Sequence, residues 1–206
     1  MQYQKHGFDF EDLIIKNITG ITATEYKTYQ KSGHTAVFDI DEGTLSSKNY
    51  SIKVSRQSLN VWTSDILRFY DCTKNIDFNM IVGCWYPDNR GKRFDTIIDF
   101  HFSPKYHELL WSDLPRKELE TFCNYIKTIP HGRKAQQENR VIWKQKRDAL
   151  LEKYGRGLVS INAKIDSGVQ RRVQSGIKLN DLFDNNIQCR VYDKSFKGLS
   201  LPFIQK

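Results

Sequence analysis

Apolar and polar residues alternate over Thr35–Asp41 (Thr-Ala-Val-Phe-Asp-Ile-Asp) and again over Tyr50–Ser55 (Tyr-Ser-Ile-Lys-Val-Ser). A period of two marks a half-buried strand. In the first run Phe38 and Ile40 take one face, and Val37, Asp39 and Asp41 take the other. In the second, Tyr50, Ile52 and Val54 lie opposite Ser51 and Lys53. The connection Glu42–Asn49 is polar and carries Gly43, so the two strands are predicted to pair as a hairpin. Pairing would bring a carboxylate, a hydroxyl and an ammonium to one sheet edge. That layout can hold a divalent cation beside a phosphate and place a water for attack.

The rest of the pattern predicts a mixed α/β domain. Gly7–Thr19 reads as a helix with Phe10, Leu13, Ile14 and Asn17 at helical spacing and Asp9, Glu11 and Asp12 in its first turn. Lys31-Ser-Gly-His34 reads as a turn, and Ser64–Asp71 as a short helix. Phe78–Tyr86 is a run of large apolar residues that ends at Pro87, the signature of a buried strand. After a turn at Pro87–Lys92, Arg93–Phe102 alternates as another strand. Leu114–Ile126 is predicted helical with Pro115 at its start, and Gln137–Tyr154 is a longer basic helix that stops at Gly155. Leu158–Ile165 and Val169–Leu179 flank a turn at Asp166-Ser-Gly168 and form a second hairpin. The tail from Asn185 is less regular. With no repeat, low-complexity stretch or linker, residues 1–206 read as one domain. Two parts are distinguished within it: residues 1–130, which hold the paired-strand site, and residues 131–184, which hold the long basic helix and the second hairpin.

Composition narrows the class. The chain has 206 residues, 39% of them hydrophobic, at a mean hydropathy of −0.60. It contains no apolar run of membrane-spanning length and no signal peptide at its N-terminus. A cytoplasmic location is expected. Cys72, Cys84, Cys123 and Cys189 are scattered with no CxxC pair, which argues for reduced thiols rather than a zinc site. No glycine-rich phosphate loop is present, so nothing supports ATP or NAD use. The net charge of +8 is concentrated. Residues 131–178 hold 12 Lys and Arg against 4 Asp and Glu, and the remainder balances at 20 of each. Such a block is the footprint of a polyanion partner.

The acidic strand end followed by a polar-x-Lys tripeptide resembles the catalytic motif of the PD-(D/E)xK nucleases. The neutral Ser51 at the second position is similar to a small MspI-like group of type II restriction endonucleases. The C-terminal runs Val159–Ile165, Gln170–Leu179 and Asn180-Asp-Leu-Phe look like the terminal hairpin of that group. The resemblance implies a restriction-endonuclease-like α/β fold, a mixed central sheet flanked by helices with a basic C-terminal hairpin. It implies Mg²⁺ as cofactor and assigns Asp39, Ser51, Lys53 and Glu11 as catalytic. Asp39 and Ser51 would ligate the metal, with Asp41 as a further carboxylate. Lys53 would orient water and offset charge on the phosphate. With a neutral residue at position 51, one metal ion is favoured over two. The products would carry 5′-phosphate ends. Double-stranded DNA is the implied partner, cut by a homodimer or by a monomer that nicks each strand in turn, with a cognate DNA methyltransferase acting on the same site.

The basic block supplies candidate DNA contacts. Arg140, Lys144 and Arg147 form one stripe on the long helix, while Ile142, Ala149 and Leu150 are expected to pack inward. Arg133 and Lys134 belong to a basic loop before it. Gln170, Arg172 and Gln174 share one face of the hairpin and Arg171 takes the other. These side chains suit guanine and adenine edges, though the hairpin could equally contact phosphates alone. Asp99 and His101 share a strand face but lack metal-ligand spacing, and His34 precedes the catalytic strand. Trp62, Trp85, Tyr86, Trp111 and Trp143 are expected in the core, with one free to stack. Beside the restriction-type reading stand two alternatives: a structure-specific nuclease of the resolvase or repair kind, and a non-enzymatic DNA-binding protein.

Overall fold

The computed structural model describes residues 2–30, 36–56, 60–89, 91–165, 170–193, 195–196, 199–200 and 203–205. The turn at Lys31–His34 and the hairpin turn at Asp166–Gly168 lie outside them, as does His34 itself. The chain is α/β, with a mixed central sheet flanked by helices. It divides into two compact units, Met1–Val61 with Asp77–Phe102 and Phe183–Lys206, and Trp62–Ile76 with Ser103–Leu182. The helices of residues 103–130, grouped on sequence with residues 1–102, fall in the second unit.

The first unit is built on a five-stranded sheet. β1 (Tyr50–Arg56), β3 (Phe78–Asp88) and β4 (Gly91–Phe102) run side by side, and β7 (Cys189–Asp193) and β8 (Phe203–Gln205) both pair with β4. β1 runs parallel to β3, and every other pair is antiparallel. A parallel pair needs a long connection. Here it passes through β2 (Asn60–Asp65) and α3 (Ile66–Asn75) before β3 begins. Every residue from Phe78 to Cys84 is buried, which accounts for the mostly apolar composition of this central strand.

α1 (Gln2–Thr19) packs Phe10, Ile14 and Ile15 into a core with Ile52, Ile81, Phe94 and Ile97. Phe10 stacks on Phe94 with ring centroids 4.8 Å apart. It also lies over Gly83 of β3, where an added Cβ would collide with the Phe10 ring. Only a glycine lets the helix settle this close to the strand. The helix starts five residues earlier than its apolar period suggested, so Asp9, Glu11 and Asp12 are not first-turn residues. Asp12 instead caps α2 (Ala23–Tyr29) by accepting from Ala23 N at 2.7 Å, beside a Thr22–Glu25 capping box.

The second unit joins helices to a three-stranded sheet of order β2-β6-β5, with β5 at Ser160–Lys164 and β6 at Arg172–Lys178. The predicted hairpin is therefore present with a third strand, β2, laid beside β6. α4 (His107–Trp111), α5 (Arg116–Thr128) and α6 (Arg133–Tyr154) precede it. α6 begins at Arg133, so Arg133 and Lys134 stand in its first turn and not in a loop. α7 (Leu179–Asp184) follows the hairpin directly. All four cysteines are free thiols, and Cys72, Cys84 and Cys123 are buried. Burial pushes these three thiols up to about 11, 11 and 12, so they are held protonated and unreactive. No helix of the described residues is long and apolar enough to cross a membrane.

Arg171 has a structural role in this unit. Its guanidinium donates to the carbonyls of Ile129 (3.0 Å), Pro130 (2.8 Å) and Ile165 (3.0 Å), tying the chain after α5 to the end of β5. Replacement by methionine keeps the stem and leaves those carbonyls without their donor. Arg171→Met is expected to lower stability by about 2 kcal/mol, read as a reduced urea midpoint at unchanged slope. An unchanged midpoint would show that the clamp contributes nothing.

Candidate active site and basic groove

The apolar pattern of the first predicted strand holds in detail. Phe38 and Ile40 are buried and Val37 is exposed. The segment is nevertheless not a strand. Residues 37–39 bend, and pairing with β1 is a single antiparallel bridge, Ile40 to Tyr50. Two residues further along β1, the Ile52 N–H donates to a side chain, Asp39 Oδ2, at 2.5 Å. The same oxygen accepts from Lys53 Nζ at 3.2 Å, and Nζ also donates to Ile52 O at 2.9 Å. The pair is about three-quarters buried, with side chains 26% and 21% exposed for Asp39 and Lys53. Oδ1 of Asp39 takes no hydrogen bond from the described residues. Ser51 lies on the Lys53 face of β1, partly exposed.

Glu11 joins this group because α1 is pinned by the neighbouring Phe10 over Gly83, and Gly83 pairs with Val54 of β1. Burial pushes the Glu11 carboxyl above its ordinary range, and the Asp39 carboxylate pushes it further. Lys27 and Lys53 pull it back down. Asp41 is held differently. Its Oδ2 accepts from Gln30 Nε2 at 3.2 Å, and its N–H donates to the Tyr26 hydroxyl at 2.8 Å. It is not among the charges that act on Glu11, and the bend at 37–39 interrupts the alternation that placed it beside Asp39. Two carboxylates and one hydroxyl, all oxygen donors, fit a hard divalent cation such as Mg²⁺. That ion uses one or two carboxylates and keeps several waters. Among the described residues no three His, Cys, Asp or Glu side chains cluster as a metal cage.

Asp99 and His101 do share a face of β4, and a third residue organises them. Asn79, buried on β3, donates to Asp99 Oδ1 at 2.7 Å and places its Oδ1 3.4 Å from His101 Nδ1. His101 Nε2 lies 3.7 Å from Asp77. The two residues are thus part of a cross-strand polar network.

The second unit carries a groove of about 760 Å³ between α6 and the strands. Arg140, Lys144 and Arg147, the predicted stripe, line it, and Gln174 lines it from β6. Lys164, Asn162, Gln136 and Trp62 line it too and were not singled out as DNA contacts. Gln136 extends the stripe by one turn and was legible from helical spacing. Trp62 is 44% exposed, and no local signal distinguished it from the core tryptophans Trp111 and Trp143. Ile142 is exposed rather than packed inward, as is Ala149, and Leu150 is only partly buried. The buried residue of α6 is Trp143, which shares its face with Arg140 and Arg147. The helix is therefore rotated so that the basic stripe flanks the packed face. Arg147 lies over the Trp143 ring at 5.4 Å and pairs with Asp148 at 2.8 Å.

Of the other predicted contacts, Lys134 pairs loosely with Glu138 at 3.9 Å, and Arg133 and Gln170 are exposed. Arg172 and Gln174 share a face of β6, opposite Lys164 and Asn162 of β5. Arg172 is partly buried, and its Nε has no hydrogen-bond partner among the described residues. Arg171 serves the clamp described above. No family model matches this chain, and neither does any curated protein or solved structure.

The raised carboxyl of Glu11 has a stability consequence with a defined sign. Its folded-state value lies above the ordinary 4.5, so the folded protein binds the extra proton. Stability then falls as pH rises through the window from 4.5 up to the folded value, and the deficit persists at neutral pH. Glu11→Gln removes it. In EDTA the variant is expected to melt higher than the parent at neutral pH, by about 2–4 °C per kcal/mol relieved. The difference should vanish below the carboxylate range. A lower Tm for Glu11→Gln at neutral pH would contradict the assignment.

Proposed function

We propose that the chain is a Mg²⁺-dependent, site-specific double-strand DNA endonuclease of the type II restriction kind. One observation carries this reading: the Asp39 carboxylate is fixed against Lys53 by the Ile52 N–H, beside Glu11, in the order that the PD-(D/E)xK pattern requires. The basic block in the second unit supports it as the binding surface for a polyanion.

In this reading Asp39 and Glu11 hold the cation, and the Ser51 hydroxyl holds a water. When bound, Mg²⁺ would supply Lewis-acid polarisation of the phosphate and a nucleophile near neutral pH. Lys53 orients the attacking water and offsets the charge that grows on the phosphoryl oxygens. Water adds to phosphorus, the P–O3′ bond breaks, and the 3′-oxygen leaves with a proton. The ends carry 5′-phosphate and 3′-hydroxyl groups. Arg140 and Lys144 contact phosphates, and Arg172 and Gln174 remain as base readers. The use of Arg171 as a clamp shortens that set. This favours, as second reading, a nuclease with the same chemistry that recognises DNA structure rather than sequence. Under the first reading a homodimer, or a monomer acting twice, meets a palindromic site that a partner methyltransferase would protect, in the cytoplasm.

The test is incubation with unmethylated phage DNA, with Mg²⁺ or with EDTA, resolved on a gel. Discrete bands with Mg²⁺ alone are expected. A smear, or cutting confined to branched substrates, would favour the second reading, and intact DNA in both lanes would end the enzyme assignment. Asp39→Asn keeps an oxygen for Ile52 N–H while removing the charge. It and Lys53→Ala are each expected to slow cutting by about 10²-fold or more, with duplex binding in a shift assay retained. Cutting at the parent rate by Lys53→Ala would remove the lysine from the mechanism. Joint replacement of Arg140 and Lys144 by alanine should weaken duplex binding and flatten its log-log salt dependence by about two. An unchanged slope would place the phosphate contacts elsewhere.

A further inference from the structure

The groove of the second unit is a concavity, and this bears on what it can hold. Its volume of about 760 Å³ lies in the range of sites that hold small ligands. Three independent features describe its occupant. The first is Trp62, a large aromatic left 44% exposed. Its ring rests on Gly176 of β6, where a Cβ would come within 2.8 Å of it. A glycine at that point lets the indole lie against the sheet, a supported platform for stacking.

The second feature is Trp143. It is 5% exposed, it lines the same groove, and its indole N–H has no hydrogen-bond partner among the described residues. A buried donor left unpaired is costly and rare, and this one sits in the wall of the groove. The third is charge. Arg140, Lys144 and Lys164 reach the groove with Arg147, and no acidic residue of the described chain lines it. A nucleotide fits, because it offers a flat π-face and negative charge within this volume. Stacking on aromatic platforms beside cations is how proteins hold unpaired strands.

Resting on the reading that the chain acts on DNA, we infer that this groove binds an unpaired nucleotide of a DNA strand. The base stacks on Trp62 and the flanking phosphate meets Arg140 and Lys144. DNA bound by the intact chain is therefore locally unpaired at this point, either by extrusion of a base from the duplex or at a single-stranded end. Extrusion costs unstacking energy, which is least at a mismatch.

The full chain is titrated, in EDTA, against fluorescein-labelled oligothymidylate of ten residues and against a hairpin duplex. Anisotropy and intrinsic tryptophan fluorescence are both followed. Oligothymidylate is expected to bind and to quench the tryptophan emission. Trp62→Ala should weaken its binding about tenfold or more and shift the ratio of single-strand to duplex affinity toward duplex. Trp62→Phe, which keeps a ring and tests for folding, should restore most of the loss. The inference is overturned if Trp62→Ala binds oligothymidylate as the parent does. It is also overturned if duplex binds and the single strand does not. If neither DNA binds, the nucleic-acid reading fails first and the inference falls with it.

Discussion

The geometry of the candidate site depends on one hydrogen bond, from the Ile52 N–H to Asp39 Oδ2. β1 is an edge strand of its sheet, so its outward N–H groups need acceptors. The segment before it supplies one backbone bridge at Ile40–Tyr50 and then bends. At the next position the carboxylate of Asp39 replaces the carbonyl that a regular hairpin would have offered. That substitution makes the segment a non-strand and also brings a carboxylate to Lys53. Had the ladder continued, the acceptor would have been backbone and Asp39 would have stood off the sheet surface. The irregularity and the site have the same cause.

A second constraint brings in Glu11. α1 sits where Phe10 can lie over Gly83, and the residue after Phe10 then reaches a neighbourhood that already holds Asp39. Two carboxylates and one ammonium, all partly buried, leave the Glu11 carboxyl pushed toward its neutral form. An arrangement chosen only for stability would not keep a second acid there. The conflict is what a divalent cation would resolve, and it rests on packing around a glycine rather than on any feature of residues 39–53.

What the sequence made legible follows from what a local pattern can encode. Alternation placed Phe38 and Ile40 inward and Asp39 outward correctly, although no strand forms, because burial depends on side-chain direction and survives a broken ladder. The apolar run of β3 and the Gly155 stop of α6 were equally local. The rotation of α6 was not. One stripe of Arg and Lys and one of Ile, Ala and Leu compete to face the sheet, and Trp143 decides it, leaving Ile142 in solvent. Nor could spacing show that Trp62 would rest on Gly176, 114 residues away, or that β2 would flank the hairpin. The two-period alternation of Gln170, Arg171, Arg172 and Gln174 assumed a strand that in fact begins at Arg172.

The same distinction applies to the charge excess. All of the +8 lies in residues 131–178, within the second unit, yet a formal count overstates what a ligand would meet. Arg171 is turned to backbone carbonyls, Arg147 is paired with Asp148, and Lys134 lies near Glu138. The guanidinium in the clamp donates to oxygens that carry only partial charge, so its field still reaches outward while its hydrogen bonds do not. Long-range attraction of a polyanion depends on the full excess. Close recognition depends on the few cations that line a binding surface, and Arg140, Lys144 and Lys164 stand together at one groove between a helix and a sheet. Steering and recognition in this chain thus use overlapping but unequal sets of residues. The smaller set is defined by packing around Trp143 and Gly176.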